Sequence, residues 1–123
     1  MTVYLSLEDI LYIADSLKLG PVRDLGLLDS AISRPSTRLW GDDAYADLDA
    51  KAAVLLESIV RNHALIDGNK RLAWLSAVVF YGLNDVEFDV PDDEAYDLVV
   101  GTAAGTISWE CAAQAFRRWR HVG

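Results

Sequence analysis

The chain has 123 residues, enough for one domain of ordinary size, and a hydrophobic fraction of 52% excludes a disordered polymer. Nineteen acidic residues against eleven basic ones give a net charge of -8, which argues against a general nucleic-acid binder, because displacing counterions from phosphates needs a net basic face. The single cysteine, Cys111, excludes an internal disulfide and fits a reducing cytoplasm. The start MTVYLSLEDI carries neither the basic stretch nor the apolar core of a signal peptide, and the longest apolar run, LAWLSAVVFYGL, is well short of a membrane span. These features predict a soluble cytoplasmic protein.

In chain order, LSLEDILYIADSLKLGP predicts a helix capped by Ser6 and stopped by Gly20-Pro21, with Leu7, Ile10, Leu11, Ala14 and Leu17 at helical spacing. RDLGLLDSAISRP predicts a shorter helix ending before Pro35. PSTRLWGDDAYAD has no helical period and carries Pro, Gly and Asp, so a loop or short hairpin is expected. DLDAKAAVLLESIVRNHAL predicts a strong helix with Ala53, Leu56, Ile59, Val60 and His63 on one side. After the break at IDG, NKRLAWLSAVVFYGLN is apolar almost all round and is expected to be the buried central helix. DVEFDVP alternates as a short extended segment does. PDDEAYDLVVGTAAGT opens on Pro and acids, as helix starts do, and ISWECAAQAFRRWRHVG predicts a last helix capped by Ser108, with Arg117, Arg118 and Arg120 at its negative end. The class is all-α, and no repeat or interdomain linker divides the chain.

The chemistry concentrates in RNHALIDGNKRLAW, residues 61 to 74. Asn69 is expected to cap the central helix, with Lys70 and Arg71 in its first turn, where basic side chains oppose the helix dipole. An anion at the helix start resolves that conflict, since free N–H groups, the dipole, an ammonium and a guanidinium would all face it. Gly68 lets backbone approach closely. Asp67 beside an anion makes sense if a divalent cation lies between carboxylate and phosphate, and Mg²⁺ takes one or two carboxylates plus phosphate oxygens. His63, at the end of the preceding helix, suits a general base that takes a proton from a hydroxyl. Together these residues point to phosphoryl or nucleotidyl transfer.

HALIDGNKR resembles the motif of the Fic family, His-Pro-Phe-x-Asp/Glu-Gly-Asn-Gly-Arg, and is closer still to its Doc (death-on-curing) branch, where Lys replaces the last Gly. His63, Asp67, Gly68, Asn69 and Arg71 match the first pattern and Lys70 the second, while Ala64 and Leu65 depart from Pro and Phe. VVGTAAGTISWECAAQAFRRW is similar to the Doc C-terminal region. The resemblance implies a single Fic fold of about six helices over residues 1–123, with a flap at about 35–47 and the motif at 63–71. It implies that His63 deprotonates a target Ser or Thr, that Asp67 holds Mg²⁺, and that Gly68, Asn69, Lys70 and Arg71 bind the phosphates of ATP. Typical Fic enzymes transfer AMP. Doc-type proteins resemble kinases that bind the nucleotide reversed and transfer the γ-phosphate to elongation factor Tu, blocking translation, and they are neutralised by a Phd-like antitoxin.

The flap would pair with an extended target segment, with Arg38, Trp40 and Tyr45 as candidate contacts, though Trp40 and Tyr45 equally fit as core plugs. Arg34 is expected to be a solvated loop residue, and Trp74 a core residue. TISWEC, at 106 to 111, comes near the self-inhibitory Fic motif, but Cys111 replaces its last residue, and Glu110 is better read as favouring a helix start. Three other readings stay open. One is AMP transfer, and another is an inactive Fic scaffold. The third is a helix-turn-helix DNA-binding regulator built on LGPVRDLGLLDSAISR, with Ser30, Ser33 and Arg34 on its recognition helix.

Overall fold

The computed structural model describes residues 1–122, and among them six α-helices carry the fold. In α1 (Leu7–Ser16), Ser6 Oγ accepts from the Asp9 N–H while Asp9 accepts from the Ser6 N–H, a reciprocal cap on two otherwise unpaired donors. Asp24 caps α2 (Leu25–Ser33), a 3₁₀ turn follows at Arg34–Ser36, and Asp47 caps α3 (Leu48–Asn62). Then come α4 (Asn69–Leu83), α5 (Asp92–Ala104) and α6 (Trp109–Trp119), the last capped by Ser108 as expected. The strands are short: β1 (Arg38–Leu39) pairs antiparallel with β2 (Asp42–Asp43), and β3 (Val86–Phe88) with β4 (Arg120–Val122). The all-α, six-helix expectation holds.

Three expectations are corrected. The central helix is α3, not α4. Every residue from 49 to 60 is buried in α3, which packs against α2, α4, α5, α6 and the 3₁₀ turn, whereas α4 leaves Val79 and Leu83 exposed. Apolarity all round marked α4, but α3 hides three charged side chains, Asp49, Lys51 and Glu57, because each has a partner. Second, α1 ends at Ser16, ahead of Gly20-Pro21. Third, α6 stops at Trp119 and the chain continues as β4. Arg117 and Arg120 do not sit over the helix end; Arg117 Nη2 lies 2.7 Å from Asp47 Oδ2 and Arg120 Nη1 3.6 Å from Asp49 Oδ2, so both serve the start of α3.

Asp47 thus has two tasks, accepting from the Ala50 N–H at 2.7 Å and pairing with Arg117 on α6. Partial burial works against its charged form, but the Ala50 N–H and Arg117 prevail and hold its carboxyl below the ordinary value of 3.8. A depressed carboxyl stabilises the fold fully above that ordinary value and loses the effect as pH falls through the folded one. Asp47→Ala is expected to cost about 1 kcal/mol in urea unfolding at neutral pH, the usual penalty for a lost N-cap. Asp47→Asn keeps a capping oxygen and should cost less, while losing stability less steeply than wild type on acidification.

Candidate active site

Unlike α1, α2, α3 and α6, α4 starts without a side-chain cap. Its N-cap is Gly68 at φ +93°, no side chain accepts from its first turn, and no acid lies there. The expectation that Asn69 caps the helix is corrected: Asn69 is the first helical residue and reaches back to Leu65, with Oδ1 accepting from its N–H and Nδ2 donating to its C=O, both at 3.0 Å. Position 68 needs glycine twice over, for the left-handed φ and because a Cβ would lie 3.0 Å from Leu19 Cδ2. The first-turn N–H groups of a helix have no intrahelical acceptor, and here the positive end of the dipole is left to them. Lys70 and Arg71 are exposed beside it, with no ion pair among the described residues.

His63 is not on the apolar face of α3. It ends that helix in the left-handed region, at φ 50° and ψ 47°, and its side chain is exposed. Ala64 and Leu65, which replace the Pro and Phe of the Fic motif, are buried. Their backbone is bonded from outside the motif. The connector between α1 and α2 runs antiparallel to the motif turn: Gly20 N–H donates to Asp67 C=O at 3.0 Å, Ile66 N–H to Pro21 C=O at 2.9 Å, and Arg23 N–H to Ala64 C=O at 2.7 Å, with a bridge between Val22 and Leu65. The Arg23 guanidinium also donates to the His63 C=O. Asp67 is exposed, and its Oδ1 accepts from the Gly68 N–H at 2.9 Å. Its other carboxylate oxygen has no protein partner among the described residues.

The fold brings all six expected residues to one hollow of about 380 Å³, lined by His63, Ile66, Asp67, Gly68, Asn69, Lys70 and Arg71 over Val60 and Ala103. Lys70 and Arg71 also line a second, more apolar hollow of about 340 Å³ between α4 and α5, walled by Trp74, Ala95, Tyr96, Val99 and Val100 with Asp92 at its edge. Trp74 is therefore a half-buried wall residue as well as a core neighbour.

The flap is a hairpin whose two-residue turn, Trp40-Gly41, has φ +55° and +85°, the left-handed pair that matches strand twist. Trp40 is 100% exposed at its tip. Arg38 Nη1 donates to Asp43 Oδ1 across the pair at 3.0 Å. Tyr45 faces the protein: its hydroxyl accepts from Arg34 Nε at 3.1 Å and its ring meets Trp109 edge-on at 5.3 Å. Arg34 is not a solvated loop residue either, since Nη1 also binds Glu57 at 2.9 Å and Ser58 at 3.0 Å. That commitment leaves α2 without its expected base-reading cation. The sequence reading missed Arg23, Lys51 and Glu57; their partners lie elsewhere along the chain, and no local pattern announces them.

Among the described residues no helix is long and apolar enough to cross a membrane, and no group of three or more His, Cys, Asp or Glu would hold a metal by itself. The Fic/DOC family model matches residues 4–81. The chain is 51% identical over 106 residues to Toxin Doc of Mycolicibacterium smegmatis, covering 80% of this chain and 79% of that one. It is 38% identical over 96 residues to Protein kinase doc of Escherichia phage P1, covering 77% and 74% respectively.

Asn69→Ala removes both bonds to Leu65. It is expected to destabilise the protein by about 1–2 kcal/mol, since half-buried backbone groups are left unpaired. Hydrogen exchange at the Leu65 amide should accelerate at least about tenfold by the same reasoning, while amides in the middle of α3 change only with global stability.

Proposed function

Since the chain belongs to the Fic/DOC family, we propose that it is a Doc-type toxin that transfers the γ-phosphate of magnesium-bound ATP to a Ser or Thr hydroxyl of a protein. The observation that carries this reading is the shared hollow: an exposed imidazole faces the same space as an uncapped helix start bearing two cations with no ion pair among the described residues. The first-turn N–H groups of α4, Lys70 and Arg71 hold phosphate oxygens. His63 takes the hydroxyl proton as that oxygen bonds to the γ-phosphorus and the bond to the β-phosphate oxygen breaks. ADP leaves with the electron pair, its new charge met by the same cations. The free oxygen of Asp67 suits Mg²⁺ carried in by the triphosphate, as one carboxylate plus phosphate oxygens makes an ordinary magnesium set. That ion would supply charge neutralisation across the phosphates. The apolar hollow between α4 and α5 accepts the nucleoside.

Asn69 acts through its backbone here, because its side chain is committed to Leu65. Lys70 favours γ-phosphate over AMP transfer: where Fic has Gly it adds bulk and charge beside the phosphates. The phage relative's designation as a protein kinase supports the same choice. The β1–β2 hairpin supplies strand backbone for an extended target. Alternation along it turns the N–H and C=O of Arg38 outward, since the Ala44 N–H donates to the Thr37 C=O in the neighbouring pair. The Doc resemblance makes elongation factor Tu the first target to test, translation block the outcome, and a Phd-like antitoxin the partner that restrains it.

ATP labelled on both the α- and γ-phosphates, incubated with Mg²⁺ and a cytoplasmic extract, tests this reading by mass spectrometry of the modified protein. Only γ-label should appear, on Ser or Thr; α-label would reassign the enzyme to AMP transfer, and no label would leave an inactive scaffold. His63→Ala is expected to cut transfer by about 10²–10⁴-fold and abolish toxicity with the fold intact. Asp67→Ala should lose the magnesium dependence of nucleotide binding, and Lys70→Gly should raise the share of α-label.

A further inference from the structure

We propose that Arg23 is a positioning residue for His63, a role that rests on reading His63 as the base. The imidazole makes no hydrogen bond to protein among the described residues, so its aim is set by the backbone that carries it. That backbone is unusual. His63 has a left-handed φ of 50°, a region few residues with side chains occupy, although histidine enters it more readily than most. Its carbonyl belongs to the last turn of α3, where no intrahelical donor remains.

Arg23 fills that gap from a distant part of the chain. Its guanidinium donates to the His63 C=O, and its own N–H donates to the Ala64 C=O at 2.7 Å. One residue thus fixes the two consecutive peptide planes that follow the His63 Cα. Arg23 does not line the hollow, so a phosphate contact is not its task. Its neighbour Asp24 donates its N–H to the Ala64 C=O at 3.1 Å, and Asn62 Nδ2 donates to the Leu27 C=O at 3.0 Å. These bonds hold the turn to α2 but leave the His63 carbonyl to Arg23.

Three variants test this: Arg23→Ala, Arg23→Lys, and Arg23→Ala combined with His63→Ala. Rates of labelled phosphate transfer to extract protein are measured as MgATP is varied. Arg23→Ala is expected to lower kcat at least about tenfold, since small misplacements of a reacting group cost that much or more. KM for MgATP should stay within about twofold, because phosphate binding is untouched. Arg23→Lys, which keeps a donor, should recover part of the rate. In the His63→Ala background, Arg23→Ala should do nothing further. A matching rise in KM, or an equal further loss without His63, would overturn the proposal.

A second readout needs no catalysis. The chain has two histidines, so their imidazole resonances are easily told apart. Arg23→Ala should shift or broaden the His63 signal; an unmoved His63 signal overturns positioning even if the rate falls. Absence of transfer by the wild-type protein would sink the functional reading, and the His63 resonance would then decide the backbone role of Arg23 by itself.

Discussion

Three ionisable side chains are buried along α3, and the rest of the molecule is arranged to meet them. Lys51 Nζ lies 3.1 Å from Asp43 Oδ2 on the hairpin and also donates to the Tyr45 C=O. Glu57 accepts from Arg34 of the 3₁₀ turn at 2.9 Å and from the Trp109 N–H, at the start of α6, at 3.0 Å. Asp49 accepts from the Tyr81 hydroxyl at 2.6 Å, with Arg117 and Arg120 of α6 and β4 at 3.7 and 3.6 Å. Burial, then Asp49, pushes the Tyr81 phenol far above its ordinary range, so it stays a neutral donor. An isolated charge in such surroundings costs several kcal/mol, and removing one partner of a buried pair costs about 3–5 kcal/mol, against about 0–1 for an exposed one. The hairpin, the start of α6 and the C-terminal strand are therefore set in place by the central helix, and no loop has to hold them alone.

The start of α4 is governed by the opposite rule. Four helices begin with a side-chain cap, and α5 begins with Asp92, Asp93 and Glu94. At α4 the chain gives up the cap, places Lys70 and Arg71 against the dipole, and commits the Asn69 carboxamide to bracing the preceding turn. Local stability is lost there in favour of a pre-formed positive concavity. Such a violation of ordinary helix grammar is the physical mark of a site, and neighbouring elements carry its cost.

That violation is why the site could be read from sequence. His63, Asp67, Gly68, Asn69, Lys70 and Arg71 lie within nine consecutive positions, and their types conflict with a purely structural turn. The helices were legible for a similar reason, since Ser6, Asp24, Asp47 and Ser108 stand where caps belong. What stayed hidden depends on contacts between distant segments. The burial of α3 could not be seen, because a run containing Asp49, Lys51 and Glu57 looks amphipathic until its partners are known. The strand at Arg120–Val122 needs β3, which lies more than thirty residues earlier. Arg34 departs from the solvated-loop expectation because a flexible-looking loop is fastened to α3 and α6, and of the two readings open for Tyr45 the same fastening selects the inward one. Asn69 was assigned the wrong local job, since Gly68 with its positive φ took the cap position.

The two sides of the contact between connector and motif turn are 40 residues apart in the chain. Closing a loop of that length costs entropy that only the docking of the helices between can offset. The bond between Arg23 and the His63 carbonyl therefore needs α2 and α3 docked against each other. The carbonyl beside the imidazole is thus held by a residue 40 positions away, so the shape of the hollow belongs to the assembled fold and not to the motif alone.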